Sequence, residues 1–401
     1  MTASVHNPDQ YMYDFKHILT NGRKKIGLLV GAGAPVSINI GGETSWKPLI
    51  PDIAGLTKMV IEGLNDEERE AFNLLKEDIS DSNIELILSR VRSLAEIIGK
   101  SKVHGLDAEG YTALSEKICH IIKEIVNQPL PTGETPYSNT ISWINGINRD
   151  HAVEIFTTNY DLLLEEAMER VRTPYFDGFS GSRAAFFDPS SISSNDLPPR
   201  WVRLWKLHGS INWLTNEVGE IIRGMNEGAG TMVYPSHVKY DQTQSAPFSS
   251  LFERLKNFLL EPDTLLITTG FSFADAHISA KLDECMAENA SAAILAFQFK
   301  NLDEECFATE MALRRPNISV YCKDGAVING VKGKWKLGDL PSRNWELIRN
   351  EYWNDDSFIL GDFLQFGKFL ARSGGGRCIT EPTSYLQTEV EVEQEVQSDD
   401  E

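Results

Sequence analysis

The run Ile26-Gly27-Leu28-Leu29-Val30, followed at once by Gly31-Ala32-Gly33, decides the fold prediction for this chain. A short apolar run of this kind predicts a strand buried on both faces, as in parallel sheets. The glycines predict a tight turn into a helix, where the backbone can approach a pyrophosphate whose charge the helix N-terminus favours. An ordinary strand-to-helix turn explains this stretch equally well, because the third glycine of the dinucleotide fingerprint is missing.

Apolar residues recur at helical spacing from Trp46 to about Pro131, which predicts a helical insertion after the first strand. Beyond it, short apolar runs alternate with helical patterns. The predicted strands are 152–157, 201–207, 264–268, 292–297 and 318–321, and the predicted helices are 162–170, 251–260, 277–289 and 303–314. Strands that alternate with helices indicate a parallel sheet covered on both faces. Residues 176–199, rich in Ser, Gly, Pro and Asp, are predicted to form a long loop.

The fold class is therefore predicted as α/β, with a Rossmann-like parallel sheet and helices on both faces. We expect a sheet domain from 1–46 and 132–325, a helical module at 47–131 and a C-terminal extension at 326–380. Residues 381–401 carry eight acidic and no basic residues, so an acidic disordered tail is expected there.

Charge and cysteine content exclude several classes of protein. The chain has 58 acidic residues against 38 Lys and Arg, and without the tail its net charge is still near −12. A protein that binds nucleic acid through its phosphates needs a basic face, so no direct nucleic-acid binding is expected. The five cysteines are far apart and include no Cys-x-x-Cys pair, which argues against a zinc ribbon and a disulfide framework.

No membrane association is expected from the sequence. No apolar run approaches the roughly 20 residues that a membrane helix needs. The N-terminal residues have no apolar core of a signal peptide, so we expect a cytoplasmic protein.

Three further motifs follow predicted strands, at the ends where ligands of open parallel sheets bind. They are Thr158-Asn159-Tyr160-Asp161, His208-Gly209 and Gly270-Phe271-Ser272. Each has a plainer interpretation when taken alone. Asn159 or Asp161 can cap the next helix, His208 can be a hydrogen-bonded structural residue, and the Gly270 motif can be a capped turn.

Together and in this order, the Gly31 motif and these three motifs resemble the sirtuin-like NAD-binding domain, over roughly residues 26–321. The run Asn83-Ile84-Glu85-Leu86-Ile87-Leu88 also looks like the helical module of bacterial sirtuin-like proteins. The resemblance implies NAD as the ligand and assigns it the cofactor-binding residues Gly31, Ala32, Gly33, Thr158, Gly270 and Ser272.

The resemblance also implies three catalytic residues. Asn159 would orient the nicotinamide ribose or an attacking water, and Asp161 would bind the nicotinamide carboxamide. His208 would be the general base. These roles suit the cleavage of a nicotinamide–ribose bond, which needs a held leaving group, an oriented nucleophile and a base that works near neutral pH.

The departures from the family pattern narrow the expected activity. Sirtuin deacylases usually carry a four-cysteine zinc module after the His-Gly motif, and this chain has no such pattern there. An Asp-Phe-Arg motif usually follows the glycine loop and is also missing. The chain thus resembles the zinc-less sirtuin-like effectors of bacterial antiphage systems, in particular the subunit paired with a HerA-type ATPase.

That resemblance implies an NAD hydrolase without zinc, which acts in antiphage defence by depleting NAD. It also implies that the protein is a homo-oligomer and is regulated by a partner. Three alternatives stay open. They are an NAD-dependent protein deacylase, a catalytically idle subunit that binds NAD or ADP-ribose, and a nuclease subunit, which the acidic charge disfavours.

Overall fold

The fold is α/β, as predicted, and is built on a ten-stranded, largely parallel sheet. The computed structural model describes residues 4–42, 44–79, 83–182, 184–216, 218–224, 246–340 and 342–374. The predicted acidic tail at 381–401 and the last part of the predicted C-terminal extension lie outside these residues.

The main sheet places the first long strand at its centre. Its strands in spatial order are β1 (Val5–His6), β14 (Val331–Trp335), β13 (Gly325–Ile328), β12 (Ile318–Cys322), β11 (Ala293–Phe297), β10 (Thr264–Thr269), β2 (Lys25–Val30), β3 (Glu154–Thr157), β7 (Val202–Lys206) and β4 (Tyr175–Phe176). Within this sheet β13 runs antiparallel to both neighbours, and the other neighbouring pairs are parallel.

The register of the four central strands aligns their carboxyl ends. Val30 pairs with Thr269 on one side and with Thr157 on the other, and Thr157 pairs in turn with Lys206. These are the last residues of β2, β10, β3 and β7, so the four loops that follow leave the sheet side by side. Strand β3 lies on one side of β2, and β10, which comes much later in the chain, lies on the other side. The carboxyl ends of these strands therefore form a topological switch point.

Helices cover both faces of the sheet and form a separate layer beyond its carboxyl edge. They are α1 (Pro8–Asn21), α2 (Gly33–Val36), α3 (Ile53–Gly63), α4 (Asp66–Asp78), α5 (Ile84–Ile97), α6 (Ala108–Val126), α7 (Pro136–Gly146), α8 (Leu163–Arg170), α9 (Pro189–Ser193), α10 (Phe248–Leu260), α11 (Ala276–Glu288), α12 (Cys306–Arg314), α13 (Trp345–Arg349) and α14 (Phe363–Ser373). Within the described ranges, no helix combines the length and apolarity needed to cross a membrane.

Helices α3 to α6 fill the stretch where helical spacing predicted an insertion. The apolar stripe of α5, including Ile87 and Val91, is buried against the other helices. The helix begins after Asn83, whose side-chain oxygen accepts hydrogen bonds from the backbone N–H of Glu85 and Leu86 at 3.0 and 3.1 Å. This cap places Glu85 in the first turn of α5.

The prediction of a long loop at 176–199 is wrong. This stretch contains β5 (Phe179–Ser180), β6 (Ala185–Phe187) and α9, and the two strands join β9 (Ile221–Arg223) and β8 (Trp213–Thr215) in a second sheet. Aromatic packing stabilises this sheet, with the ring centres of Phe179 and Trp213 at 5.2 Å. The sequence did not indicate these strands, because they are only two or three residues long and lie in a polar stretch.

Candidate active site

A cavity of about 1080 Å³ lies at the carboxyl ends of the central strands, between the sheet and the layer formed by α3, α5 and α6. This volume slightly exceeds the roughly 300–1,000 Å³ typical of small-molecule clefts, so a ligand of dinucleotide size fits. Eight of the nine predicted site residues line it: Ala32, Gly33, Thr158, Asn159, Asp161, His208, Gly270 and Ser272. The ninth, Gly31, is buried and is not among the lining residues.

The two glycine loops of the site pack against each other. A Cβ atom on Gly31 would lie 2.4 Å from the carbonyl oxygen of Gly270, and one on Gly33 would lie 2.9 Å from the Cα of Gly270. Gly270 itself has a φ of +62°, in the region that favours glycine. Close backbone packing therefore requires these glycines whatever the loops bind.

The helix dipole contributes less at this loop than the sequence suggested. The helix after Gly31, α2, is only four residues long, so few peptide dipoles align there. Ala32 and Gly33 are nevertheless exposed to the cavity, and so is Ser272 in the opposite loop. A role for these residues in holding a pyrophosphate stays a prediction.

Asn159 links two of the strand-end loops. Its side-chain NH₂ donates a hydrogen bond to the carbonyl oxygen of Gly31 at 3.1 Å, and its backbone N–H donates to the Thr157 hydroxyl, also at 3.1 Å. No described residue donates a hydrogen bond to the side-chain oxygen of Asn159. The side chain does not cap α8, so the capping interpretation fails for Asn159, and its amide oxygen is available to a ligand. Thr158, beside it, hydrogen bonds through its backbone N–H to Val30.

Asp161 is almost fully buried and accepts a hydrogen bond from the backbone N–H of Leu163 at 3.0 Å, at the start of α8. Asp161 thus satisfies the first N–H of α8 from the position before the N-cap, which is Leu162 and has no side-chain cap. Burial raises the pKa of this carboxyl to about 6, although the Lys206 ammonium and the hydrogen bond from Leu163 lower it. Lys206 donates hydrogen bonds to the backbone oxygen of Asp161 and to Glu165.

We expect Asp161→Asn to stabilise the protein at neutral pH. A carboxyl with a pKa of about 6 when folded and about 3.9 when unfolded costs about 3 kcal/mol of stability once ionised. Asparagine keeps the oxygen that accepts from Leu163 and removes the charge. Urea unfolding should therefore show a gain of roughly 1–3 kcal/mol at pH 7.5 that disappears near pH 4.

The matched control for this prediction is Asp150→Asn, since Asp150 is exposed. It should change the free energy of unfolding by less than about 0.5 kcal/mol at either pH. A loss of stability at pH 7.5 in Asp161→Asn would contradict the assignment of a costly buried charge.

His208 lies at the end of β7, is 8% exposed, and has a carboxylate on each side of its ring. Its Nε2 atom is 3.0 Å from Asp275 Oδ2, and its Nδ1 atom is 4.0 Å from Glu85 Oε1. The Tyr160 hydroxyl donates a hydrogen bond to the same Glu85 oxygen at 2.8 Å. His208 is thus held in place by its contacts and also borders the cavity.

The two carboxylates raise the basicity of the ring. Burial alone would lower the pKa of His208, but the hydrogen bond to Asp275 and the charges of Glu85 and Asp275 raise it above its ordinary value. Burial would likewise raise the pKa of Asp275, yet the His208 contact and two backbone N–H groups lower it to about 2. Asp275 is therefore ionised at neutral pH, and the protonated form of His208 is favoured more than in an ordinary imidazole.

Sequence reasoning missed Asp275, Glu85 and Tyr160. Asp275 stands between a strand-end loop and a predicted helix, a position that indicates a helix cap, and the structure confirms the cap. Nothing in the sequence indicates that its second oxygen reaches His208. In the sequence, Glu85 belongs to a helical run and to a capping-box pattern that begins at Ser82, and Tyr160 belongs to a loop motif.

Among the described residues, no group of three or more His, Cys, Asp or Glu side chains is arranged to hold a metal ion. Cys119, Cys285, Cys306 and Cys322 are free cysteines. The remaining cysteine, Cys378, lies outside the described residues.

Asn159, Asp161 and His208 thus surround one cavity beside two glycine loops. Residues 153–320 match the family model of the SIR2-like domain. The matched residues run from the start of β3 into β12 and contain Asn159, Asp161, His208 and Asp275. The Gly31 loop and the helical layer precede them in the chain. No curated protein matches this chain.

Two solved structures show a weak likeness to the whole chain. One, described as "Structural Basis for the Mechanism and Regulation of Sir2 Enzymes", is 13% identical, with a TM-score of 0.37 over 73% of this chain and 88% of that chain. The other, a crystal structure of a Sir2 homolog–NAD complex, is 12% identical, with a TM-score of 0.33 over 74% of this chain and 84% of that chain.

Proposed function

We propose that this protein hydrolyses NAD to nicotinamide and ADP-ribose. The observation that carries the proposal is the convergence of Asn159, Asp161 and His208 on one cavity, which the Gly33 and Ser272 loops also border. The match of residues 153–320 to the SIR2-like domain supports NAD as the ligand. The size of the cavity supports a ligand as large as a dinucleotide.

The reaction breaks the bond between the nicotinamide nitrogen and C1′ of the ribose. The bonding electrons move to the pyridinium nitrogen, nicotinamide leaves as a neutral molecule, and positive charge develops on the ribose. A water oxygen forms the new bond to C1′ and releases one proton. The protein thus has to hold the leaving group, place the water and accept the proton.

Each of these tasks has a suitable side chain in the cavity. Asp161, with a pKa of about 6, is suited to hydrogen bonding with the leaving carboxamide. The free side-chain oxygen of Asn159 is suited to orienting the water or a ribose hydroxyl, because its NH₂ is already held by Gly31. The neutral form of His208, with Nε2–H bound to Asp275, leaves Nδ1 to accept the proton.

We further propose that cleavage serves antiphage defence by depleting NAD, in a homo-oligomer regulated by a HerA-type ATPase. This part rests on the resemblance to zinc-less bacterial effectors. An enzyme that destroys a central cofactor has to be held inactive in healthy cells. Regulation by a partner would supply this inhibition.

The proposal is tested by incubating the purified chain with NAD and measuring nicotinamide, with and without an acyl-lysine peptide and a HerA-type ATPase. Release without the peptide is the expected result. Release only with the peptide would indicate a deacylase. Tight NAD binding with no release under any of these conditions would indicate an idle subunit and overturn the proposal.

We expect the acidic tail to be dispensable for cleavage. Its eight like charges repel one another and its composition cannot form a core. A chain that ends near residue 376 should release nicotinamide within a few-fold of the full-length rate. A large loss of rate in a truncated chain that is folded and correctly assembled would show that the tail acts on the site. A loss of partner binding alone would leave the prediction intact.

A further inference from the structure

The ring of His208 lies between two elements that come from different parts of the fold. Asp275 is the N-cap of α11, which follows β10 of the sheet, and Glu85 lies in the first turn of α5 in the helical layer. The titratable groups that face the ring are these two carboxylates and Tyr160, whose ring centre is 6.4 Å away. Each ring nitrogen therefore has its own carboxylate.

We propose that Asp275 and Glu85 are positioning residues that act in opposite directions on His208. Asp275 fixes the hydrogen on Nε2, so that Nδ1 is the atom that accepts the proton. Glu85 retains a proton on Nδ1 and slows cleavage while α5 holds this position. The effects on cleavage rate rest on the proposed function, whereas the effects on the ring itself do not.

The role of Asp275 follows from how its two oxygens are used. Oδ1 accepts hydrogen bonds from the backbone N–H of His277 and Ile278 at 2.9 and 3.0 Å, which leaves Oδ2 for His208. An asparagine at this position would keep its oxygen on the two N–H donors and turn its NH₂ toward His208. Nε2 would then have to accept, and the hydrogen of the neutral ring would move to Nδ1, which removes the acceptor that the reaction needs.

The role of Glu85 follows from its anchoring and its place in the fold. The hydrogen bond from Tyr160 fixes the Glu85 oxygen that faces Nδ1, and the 4.0 Å separation is an ion-pair distance when the ring is protonated. A displacement of α5 would withdraw Glu85 and leave Asp275 in place, because Asp275 is tied to α11. The neutral ring with a free Nδ1 would then be favoured, so cleavage would depend on the position of the helical layer.

The test compares Glu85→Gln and Asp275→Asn in the full chain, with Glu70→Gln as a control because Glu70 is an exposed carboxylate on α4. Glu85→Gln should raise the rate of nicotinamide release about 3- to 10-fold at pH 6.5 and change it less than about twofold at pH 9. Asp275→Asn should lower the rate by about 10²–10⁴-fold at both pH values. The control should match the wild type.

A second measurement follows the His208 ring directly, by NMR of chains with isotope-labelled histidine, with His208→Ala to assign the signal. Glu85→Gln should shift the ring titration to lower pH, and Asp275→Asn should show the Nδ1–H form of the neutral ring. An unchanged titration in Glu85→Gln, or an Nε2–H ring in Asp275→Asn, would overturn the proposal. If the ring responds as expected but no variant cleaves NAD, the proposed function fails and the assignment of the two carboxylates stands.

Discussion

His208→Ala is expected to lower NAD cleavage by about 10²–10⁴-fold, the contribution of a positioned general base. Among the described residues, His208 is the one imidazole at the end of a central strand, with Nε2 3.0 Å from Asp275 and Nδ1 4.0 Å from Glu85. NAD binding should survive, because the glycine loops and Asp161 are unchanged. The measurement pairs the rate of nicotinamide release with thermal melts in the presence and absence of NAD.

Some loss of stability should accompany the loss of cleavage, because His208 also pairs with Asp275. The raised pKa of His208 means that its contribution is complete below about pH 6.5 and fades as the pH rises through the folded value. The lowered pKa of Asp275, about 2, means that its contribution fades as the pH falls below about 3.9. The difference in melting temperature should therefore be largest between these limits.

The control for this variant is His151→Ala, an exposed histidine that does not line the cavity. It should keep the wild-type rate and melting temperature. If His208→Ala cleaves NAD at nearly the wild-type rate, a sirtuin-type mechanism is excluded for this protein. If the variant instead loses both cleavage and the NAD-induced rise in melting temperature, His208 supports the binding site rather than the chemistry.

Asn159→Ala is expected to abolish cleavage with only a small loss of stability. The variant removes the free amide oxygen that we assign to the water or the ribose, and it breaks one hydrogen bond, to Gly31. A single neutral hydrogen bond contributes about 1 kcal/mol to stability, which the fold should tolerate. Nicotinamide release and urea unfolding of the same preparation test both parts of the expectation.

Asn139→Ala is the matched control, because Asn139 is also buried, donates a side-chain hydrogen bond to Glu134 at 2.8 Å, and does not line the cavity. It should lose a similar amount of stability and keep the rate. Near-normal cleavage by a folded Asn159→Ala variant would show that this asparagine only joins the two loops.

The sequence predicted the sheet and the convergence of the site for identifiable reasons. Continuous apolar runs such as Ile26–Val30 are distinctive of buried strands, and the prediction of β2 and β3 differs from the structure by one or two residues at most. Because parallel strands end at one edge, motifs that follow several strands were expected to meet, and Asn159, Asp161 and His208 do so.

The parts that the sequence did not predict depend on contacts between distant residues. The glycine pattern predicted a tight turn that a pyrophosphate can approach. It did not indicate that Gly31 and Gly33 pack against Gly270, a partner that no local pattern specifies. The two carboxylates on His208 were missed for the same reason. Asp275 carries the pattern of a helix cap, and only the three-dimensional structure shows that its second oxygen binds an imidazole.

Isotope transfer from water tests the central claim most directly. NAD is incubated with the full-length chain in ¹⁸O-labelled water, and the released ADP-ribose is analysed by mass spectrometry together with nicotinamide. Our account predicts equal amounts of the two products, with one ¹⁸O atom in each newly formed ADP-ribose. With His208→Ala, both products should form about 10²–10⁴-fold more slowly. Nicotinamide release in which the ribose carbon gains no labelled oxygen would contradict it, because the acceptor would then be a group other than water.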